Sequence, residues 1–316
     1  MRRGHLGGWV WGFLLLTLFT ARGEFQIERA TDRVTIHQEA GPMVTFVYRD
    51  PQVPRPYFMH WHGPDGFLLT RRFPPVEGLD ATDHETMHPG IWLSFSGISG
   101  SDFWRNKAPT TFGGFTEEPF VRDGVAGWSF RNHYATTSGP TVTEECTIRF
   151  VDRPLGTLLF WDSAFTSTGE VVFEDHEEMG LGIRVATILS VKNGGKMRNS
   201  FAEENEKGVW GKQAGWIDYS RDLRGTRHGI LLVPHRENDR PSYFHARDYG
   251  MVTANPFGTK SFTHKGDGSY KLVVGQKIRL RFGIFAYAGE IDPAGIAADY
   301  HITAEETSRR SSSAIK

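Results

Sequence analysis

The chain has 316 residues, with 36 Lys and Arg against 37 Asp and Glu, so no charge excess draws it to nucleic acid or to an anionic membrane surface. Hydrophobic residues make up 39% and aromatics 13%, enough for a large core. A single cysteine, Cys146, excludes an intrachain disulfide and a structural zinc site built on thiolates.

The first element reads as a leader. Arg2 and Arg3 precede an apolar run from Gly7 to Phe19, and Ala21-Arg22-Gly23 then places small residues where a signal peptidase reads them. The run is about 13 residues, short of the roughly 20 that a spanning helix needs. The expectation is a signal peptide over residues 1–23, export to the periplasm or beyond, and no membrane span in the mature chain. An uncleaved anchor is the weaker alternative.

After the leader come short alternating runs bounded by Gly, Pro, Asn or Asp, the pattern of strands and turns. They include Met43–Tyr48, Thr141–Phe150, Gly156–Phe165, Gly229–Val233, Lys271–Val274 and Ile278–Ala288. Cys146 falls inside one of them and reads as a small buried hydrophobe. In the last run Ile278, Leu280, Phe282 and Ile284 alternate with Arg279 and Arg281. A helix is expected after Asp292-Pro293, through Ala294 to His301, since Pro suits a first helical turn. Residues 306–316 are polar and expected to be disordered. Together these predict an all-β chain: one domain over 24–305, a large two-sheet β-sandwich with one short C-terminal helix.

Four stretches are too polar and too aromatic for plain strands. His60 and His62 lie two apart, on one face if Arg55–Gly66 is extended, where they can bind a metal or a hydroxyl or simply hydrogen-bond in a turn. His84-Glu85-Thr86-Met87-His88 fits the letters H-E-x-x-H, but Pro89-Gly90 ends any helix there, so a zinc protease is disfavoured. Glu174, Asp175, Glu177 and Glu178 precede a strand carrying Arg184, and a carboxylate there can serve as a general base or belong to a solvated acidic loop. The fourth stretch joins Trp210, Lys212, Trp216, Asp218 and Tyr219 with His245, Arg247 and Asn255. Rings beside such polar groups suit a sugar, although rings in the core are the plainer reading for Trp210 and Trp216.

These strings resemble a family of exported bacterial proteins of unknown function that carries the label methane oxygenase PmoA. The resemblance rests on Met87–Trp92, Asp102–Lys107, Glu177–Thr187, Trp216–Tyr219, His245–Gly250 and Asn255–Gly258; it departs at His176, where the family commonly has Gln. The label implies methane oxidation, yet no apolar stretch of about 18 residues follows the leader. The fold implied is the galactose-mutarotase-like supersandwich, which hosts several activities. By that analogy the leading expectation is carbohydrate-active chemistry on a concave sheet, of epimerase, lyase or hydrolase type. His88 and His245 would donate, Glu178 or Asp218 would act as base, and Arg184 and Arg247 would hold a hydroxyl or carboxylate. His62, Trp210, Lys212, Trp216, Tyr219 and Asn255 would complete the surface for a small sugar or oligosaccharide. No cofactor is expected, with a divalent metal left open. The alternatives are a non-catalytic sugar-binding module, or a metal-dependent oxygenase or hydrolase built on His60, His62, His84 and His88.

Overall fold

A computed structural model describes residues 23–137 and 139–313, with side chains through Glu306; the expected signal peptide lies outside them except for Gly23. Two antiparallel sheets dominate. The first has nine strands, in spatial order β1 (Gln26–Arg29), β2 (Arg33–Gln38), β3 (Gly41–Val47), β4 (Tyr57–Met59), β5 (Ile91–Phe95), β11 (Met179–Arg184), β17 (Met251–Asn255), β16 (Tyr243–Arg247) and β13 (Lys212–Gln213). The second has eight: β12 (Lys196–Asn199), β14 (Ile217–Leu223), β15 (Thr226–Pro234), β19 (Ile278–Ala288), β9 (Gly156–Ser167), β8 (Thr141–Arg153), β7 (Val125–Ala135) and β6 (Thr110–Arg122). A ribbon of β10 (Val171–Phe173) and β18 (Tyr270–Leu272) stands apart from both sheets.

Period-2 alternation decides what each sheet buries. From β19, Ile278, Leu280, Phe282 and Ile284 point between the sheets; from β11, Met179, Leu181 and Ile183 do so. Burying one such side chain stabilises by roughly 1.5–3 kcal/mol. The core also holds Glu144, whose carboxylate accepts hydrogen bonds from Asn132, Tyr134 and Ser163, as a buried acid requires. The expected all-β two-sheet architecture with a C-terminal helix is what the structure shows.

The helix is longer than expected. α3 runs Pro293–Ser313, past His301 and into the segment expected to be disordered. Its Ala297 and Tyr300 pack on Leu158, Leu231, Val233, Phe285 and Tyr287, on the outer face of the eight-stranded sheet. Once that packed turn exists, each further residue adds a hydrogen bond for one pair of dihedrals, so the helix propagates. Two one-turn helices, α1 (Asn205–Val209) and α2 (Thr259–Thr263), carried no periodic signal. Among the described residues no helix is long and apolar enough to cross a membrane.

Candidate functional site

The outer face of the nine-stranded sheet carries the largest share of the polar residues singled out above. Inward positions on β5, β11, β17 and β16 are apolar, so the alternate positions face out. Register lines them up in rows. Trp92, Gly182, Thr253 and His245 form one; Ser94, Gly180, Asn255 and Tyr243 form the next; Arg184, Met251 and Arg247 form a third. With strands roughly 4.8 Å apart, Trp92 and His245 stand about 14 Å apart across three strand spacings. Gly182 is required in its row: a Cβ would lie 2.5 Å from Cζ2 of Trp92, whose ring covers it.

At the Trp92 end, residues 81–88 form a wall. Arg71, 1% exposed, donates to the carbonyls of Ala81, Asp83, His84, Glu85 and His88. Arg55 donates to the carbonyls of Phe103, Trp104, Thr86 and Met87 and to Asn106. Arg184 clamps Asp83 bidentately at 2.7 and 2.9 Å, and its Cζ lies 4.4 Å from the Tyr249 ring centre. Burial alone would raise the Asp83 carboxyl, but the hydrogen bonds from Arg184 and His84 outweigh it and hold Asp83 well below the usual carboxylate range. Inside the wall the rings stack in a column: Tyr249 on His84 at 5.9 Å, His84 on His88 at 5.0 Å, His88 on Trp92 at 4.9 Å. His88 is buried, and neither ring nitrogen has a hydrogen-bond partner. Burial, then the nearby Arg184 charge, keeps it far below an ordinary histidine and therefore neutral. His88 is a closed member of a stack, about three strands from His245.

At the other end lies a basin around His245. Its Nε2 is 3.6 Å from Oε2 of Glu177, and neither ring nitrogen completes a hydrogen bond among the described residues. Burial, then the Arg247 charge, outweighs the Glu177 backbone and pushes His245 down to about 3. Arg247 bridges two acids, Glu177 at 3.3 Å and Glu206 at 3.0 Å, and lies 5.9 Å from the Trp210 ring centre. Glu177 is the member most open to solvent, 41% exposed. The segment carrying it is fastened from both sides. Asn255 Nδ2 donates to the carbonyls of His176 and Glu177 while its Oδ1 accepts from Phe257 N. Asp175 accepts from the amides of Lys260, Ser261 and Gly268. Asn255, expected to touch ligand, is thus used up in positioning Glu177.

A family model described as a family of unknown function, DUF6807, matches residues 33–301. The chain belongs to that family. No curated protein matches the sequence. Among solved structures, a GalM/aldose epimerase homologue from C. elegans is similar at 9% identity and a TM-score of 0.34, covering 86% of this chain and 100% of that one. A galactose mutarotase-like protein from Clostridium acetobutylicum is similar at 9% identity and a TM-score of 0.34, covering 84% and 95%.

The other residues expected in this DUF6807 chain's site lie elsewhere. Glu178 turns to Arg105, leaving the neighbouring Glu177 beside His245. Lys212 pairs with Glu203 at the sheet edge. Tyr219 is in the core, its hydroxyl accepting from Val191 N and donating to the Arg247 and Asp248 carbonyls. His62 sits by the β2–β3 hairpin, its amide donating to the Met43 carbonyl. Asp218 and Trp216 belong to the outer side of the eight-stranded sheet, on the far side of the sandwich. Burial raises Asp218 to about 6 against hydrogen bonds from Ser220 and Tyr287.

His60 and His62 do not share a face, because β4 ends at Met59 and His60 adopts a φ of 55°. The His60 Nε2 accepts from Phe73 N instead. Among the described residues no group of three or more His, Cys, Asp or Glu is placed to hold a metal. Glu206 and Glu177 were the functional candidates hardest to see in sequence; their shared partner, Arg247, is the signal, and it acts only across the fold.

Proposed function

We propose that this is an exported carbohydrate-active protein, with a neutral, hydroxyl-rich sugar bound over the basin on the nine-stranded sheet. Glu177 is the base: it is the exposed carboxylate, oriented by Arg247 and backed by a histidine held neutral by burial. A neutral imidazole offers one N–H and one lone pair. It can therefore donate to Glu177, or to a substrate oxygen once Glu177 moves, without becoming charged. Trp210 supplies an apolar wall for sugar C–H groups. The observation that carries this reading is the buried, unpartnered His245 beside Glu177 and Arg247.

The test is a panel of pyranoses and oxidised sugars followed by NMR for anomerisation, epimerisation, elimination or hydrolysis. Turnover that falls 10²–10⁴-fold in Glu177→Gln supports the reading, the usual range for lost proton transfer. Turnover untouched by Glu177→Gln overturns it.

The 3.6 Å gap favours a second reading, a non-catalytic sugar-binding module, since no hydrogen bond yet joins acid and imidazole. Saturable binding of a sugar with no turnover of any panel member would establish that reading. The metal-dependent alternative has weaker support. His84 and His88 stack with planes 19° apart, which sets their in-plane lone pairs side by side rather than converging on one ion.

A further inference from the structure

The far side of the sandwich carries a cleft that the basin does not use. It has a volume of about 550 Å³, within the range of small-molecule sites. Its floor is the edge of the eight-stranded sheet. Because Met197 and Tyr219 point into the core, their neighbours Arg198, Asp218 and Ser220 face outward. Arg198 stands directly opposite Asp218. One row along, Ser220, Gly229 and Tyr287 lie side by side across three strands.

Gly229 makes the floor possible. A Cβ there would sit 2.6 Å from the Tyr287 hydroxyl, so only glycine lets that side chain lean across β15. The Tyr287 hydroxyl then donates to Asp218 Oδ1 at 2.8 Å, and Ser220 donates to Oδ2 at 2.7 Å. Asp218 is 8% exposed. Two hydroxyls hold its carboxylate still, and each oxygen keeps capacity for a further donor. Half-buried Trp216 and the start of α3, Ile291 to Ala294, form the walls.

The rim carries both charges: Lys196, Arg198, Arg221 and Arg227 stand with Glu204, Asp222 and Asp292, whose Oδ1 accepts from Ala294 N. Lys196 is taken by Glu204, and Arg227 by Asp222 and Glu290. Arg221 donates to the Ile188 carbonyl and forms no ion pair among the described residues. Arg198 is exposed, and its guanidinium has no ion pair or hydrogen bond among the described residues. The site therefore joins a fixed acceptor for hydroxyls, an aromatic wall and two arginines that form no ion pair among the described residues, although Arg198 lies opposite Asp218. A sugar that carries a carboxylate has the matching groups: hydroxyls for the floor, C–H faces for Trp216, and an anion for the arginine rim.

We propose that this cleft is a second ligand site that binds an acidic sugar, a uronate unit, through Asp218, Trp216 and Arg198. It shares no residue with the basin and does not depend on the chemistry proposed for Glu177.

The purified protein is titrated with galacturonate and glucuronate, with galactose as the uncharged comparator, by isothermal calorimetry. Saturable one-to-one binding of a uronate, at least tenfold tighter than galactose, is expected. Arg198→Ala should weaken uronate at least tenfold and leave galactose unchanged. Trp216→Ala should remove uronate binding, and Tyr287→Phe, which deletes only the hydroxyl, should weaken it. Glu177→Gln should leave uronate affinity unchanged. Thermal melts of each variant separate lost binding from lost fold. The proposal is overturned by no saturable uronate binding to the unaltered protein, by equal affinity for galactose, or by unchanged affinity in folded Arg198→Ala and Trp216→Ala. Loss of binding in Glu177→Gln also overturns it, by moving the uronate to the basin.

Discussion

Replacing His245 tests whether the basin works with a neutral or a charged imidazole. With its pKa pushed to about 3, charging His245 at pH 7 spans about four pKa units. At 1.36 kcal/mol per unit that is about 5 kcal/mol, or one charged ring in roughly ten thousand. A mechanism that needs an imidazolium in the free protein would carry that whole penalty. The reading offered here needs none of it, because the ring serves as a neutral hydrogen-bonding partner of Glu177. His245→Gln, which also offers a neutral donor and acceptor, should therefore keep turnover within about tenfold. His245→Ala, which leaves Glu177 with only Arg247, should lose roughly 10²-fold, the low end of the effect of a proton-transfer group. The assay is kcat/KM against pH from 4.5 to 9. The unaltered protein and His245→Gln should share one profile with no limb between pH 6 and 7. A limb in that interval that disappears in His245→Gln would show an imidazolium at work and refute the reasoning.

Three further outcomes follow from the same geometry. Asp83→Asn strands the guanidinium of Arg184, 1% exposed, whereas Arg184→Met leaves Asp83, 39% exposed, to be solvated. Breaking a buried pair costs 3–5 kcal/mol, but water at Asp83 screens this one, so Asp83→Asn should cost about 2 kcal/mol and more than Arg184→Met. Equal losses in urea unfolding would sink that asymmetry. Gly182→Ala forces a methyl to within 2.5 Å of the buried Trp92 ring and should cost roughly 1–3 kcal/mol, read as a melting point several degrees lower; an unchanged melting point would show that the ring column is loose. His60, His62, His88, His235, His245 and His301 are all held below an ordinary histidine, chiefly by burial. The unfolded chain takes up protons that these folded rings refuse, so their effect is nil above about pH 6.5 and destabilising as pH falls from there toward about 4 and 3, the values for His235 and His245. Urea midpoints at pH 7.5 and 5 should drop, and the drop should shrink in His245→Gln; a flat dependence contradicts it.

Strands were legible where one face met the core. Ile278–Ala288 emerges with the bounds its alternation predicted, because every second side chain is apolar. The site was legible only as a set of stretches. Alternation says which side of a strand a residue takes, not which sheet the strand joins. Asp218 and His245 sit in one aromatic-rich stretch of sequence, yet β14 went to one sheet and β16 to the other. Glu177 and Glu178 were equivalent on paper, since nothing nearby distinguishes them. Their partners, Arg247 and Arg105, lie about 70 residues away in opposite directions along the chain. The His60–His62 pair failed for a local reason, a left-handed residue that ends the strand.

The charge placement on the nine-stranded sheet decides between its two ends. At the wall stand three buried guanidinium groups, Arg55, Arg71 and Arg184; Arg184 pairs with Asp83, while Arg55 and Arg71 donate chiefly to backbone carbonyls. Burial, reinforced by that positive charge, keeps His88 neutral and makes the column a fixed support. In the basin the ratio reverses: Glu177 and Glu206 share one guanidinium, Arg247. Two carboxylates around one cation repel an anionic substrate and accept hydrogen bonds from hydroxyls, so a neutral sugar suits the basin. In the cleft across the sandwich Lys196, Arg198, Arg221 and Arg227 stand among Glu204, Asp218, Asp222 and Asp292, and the two arginines that form no ion pair among the described residues, Arg198 and Arg221, are the groups that would hold a carboxylated sugar. Opposite preferences for sugar charge at the two faces are therefore a consequence of where the arginines find partners, and swapping them by Arg198→Glu should cost uronate binding while leaving the basin's neutral-sugar preference untouched.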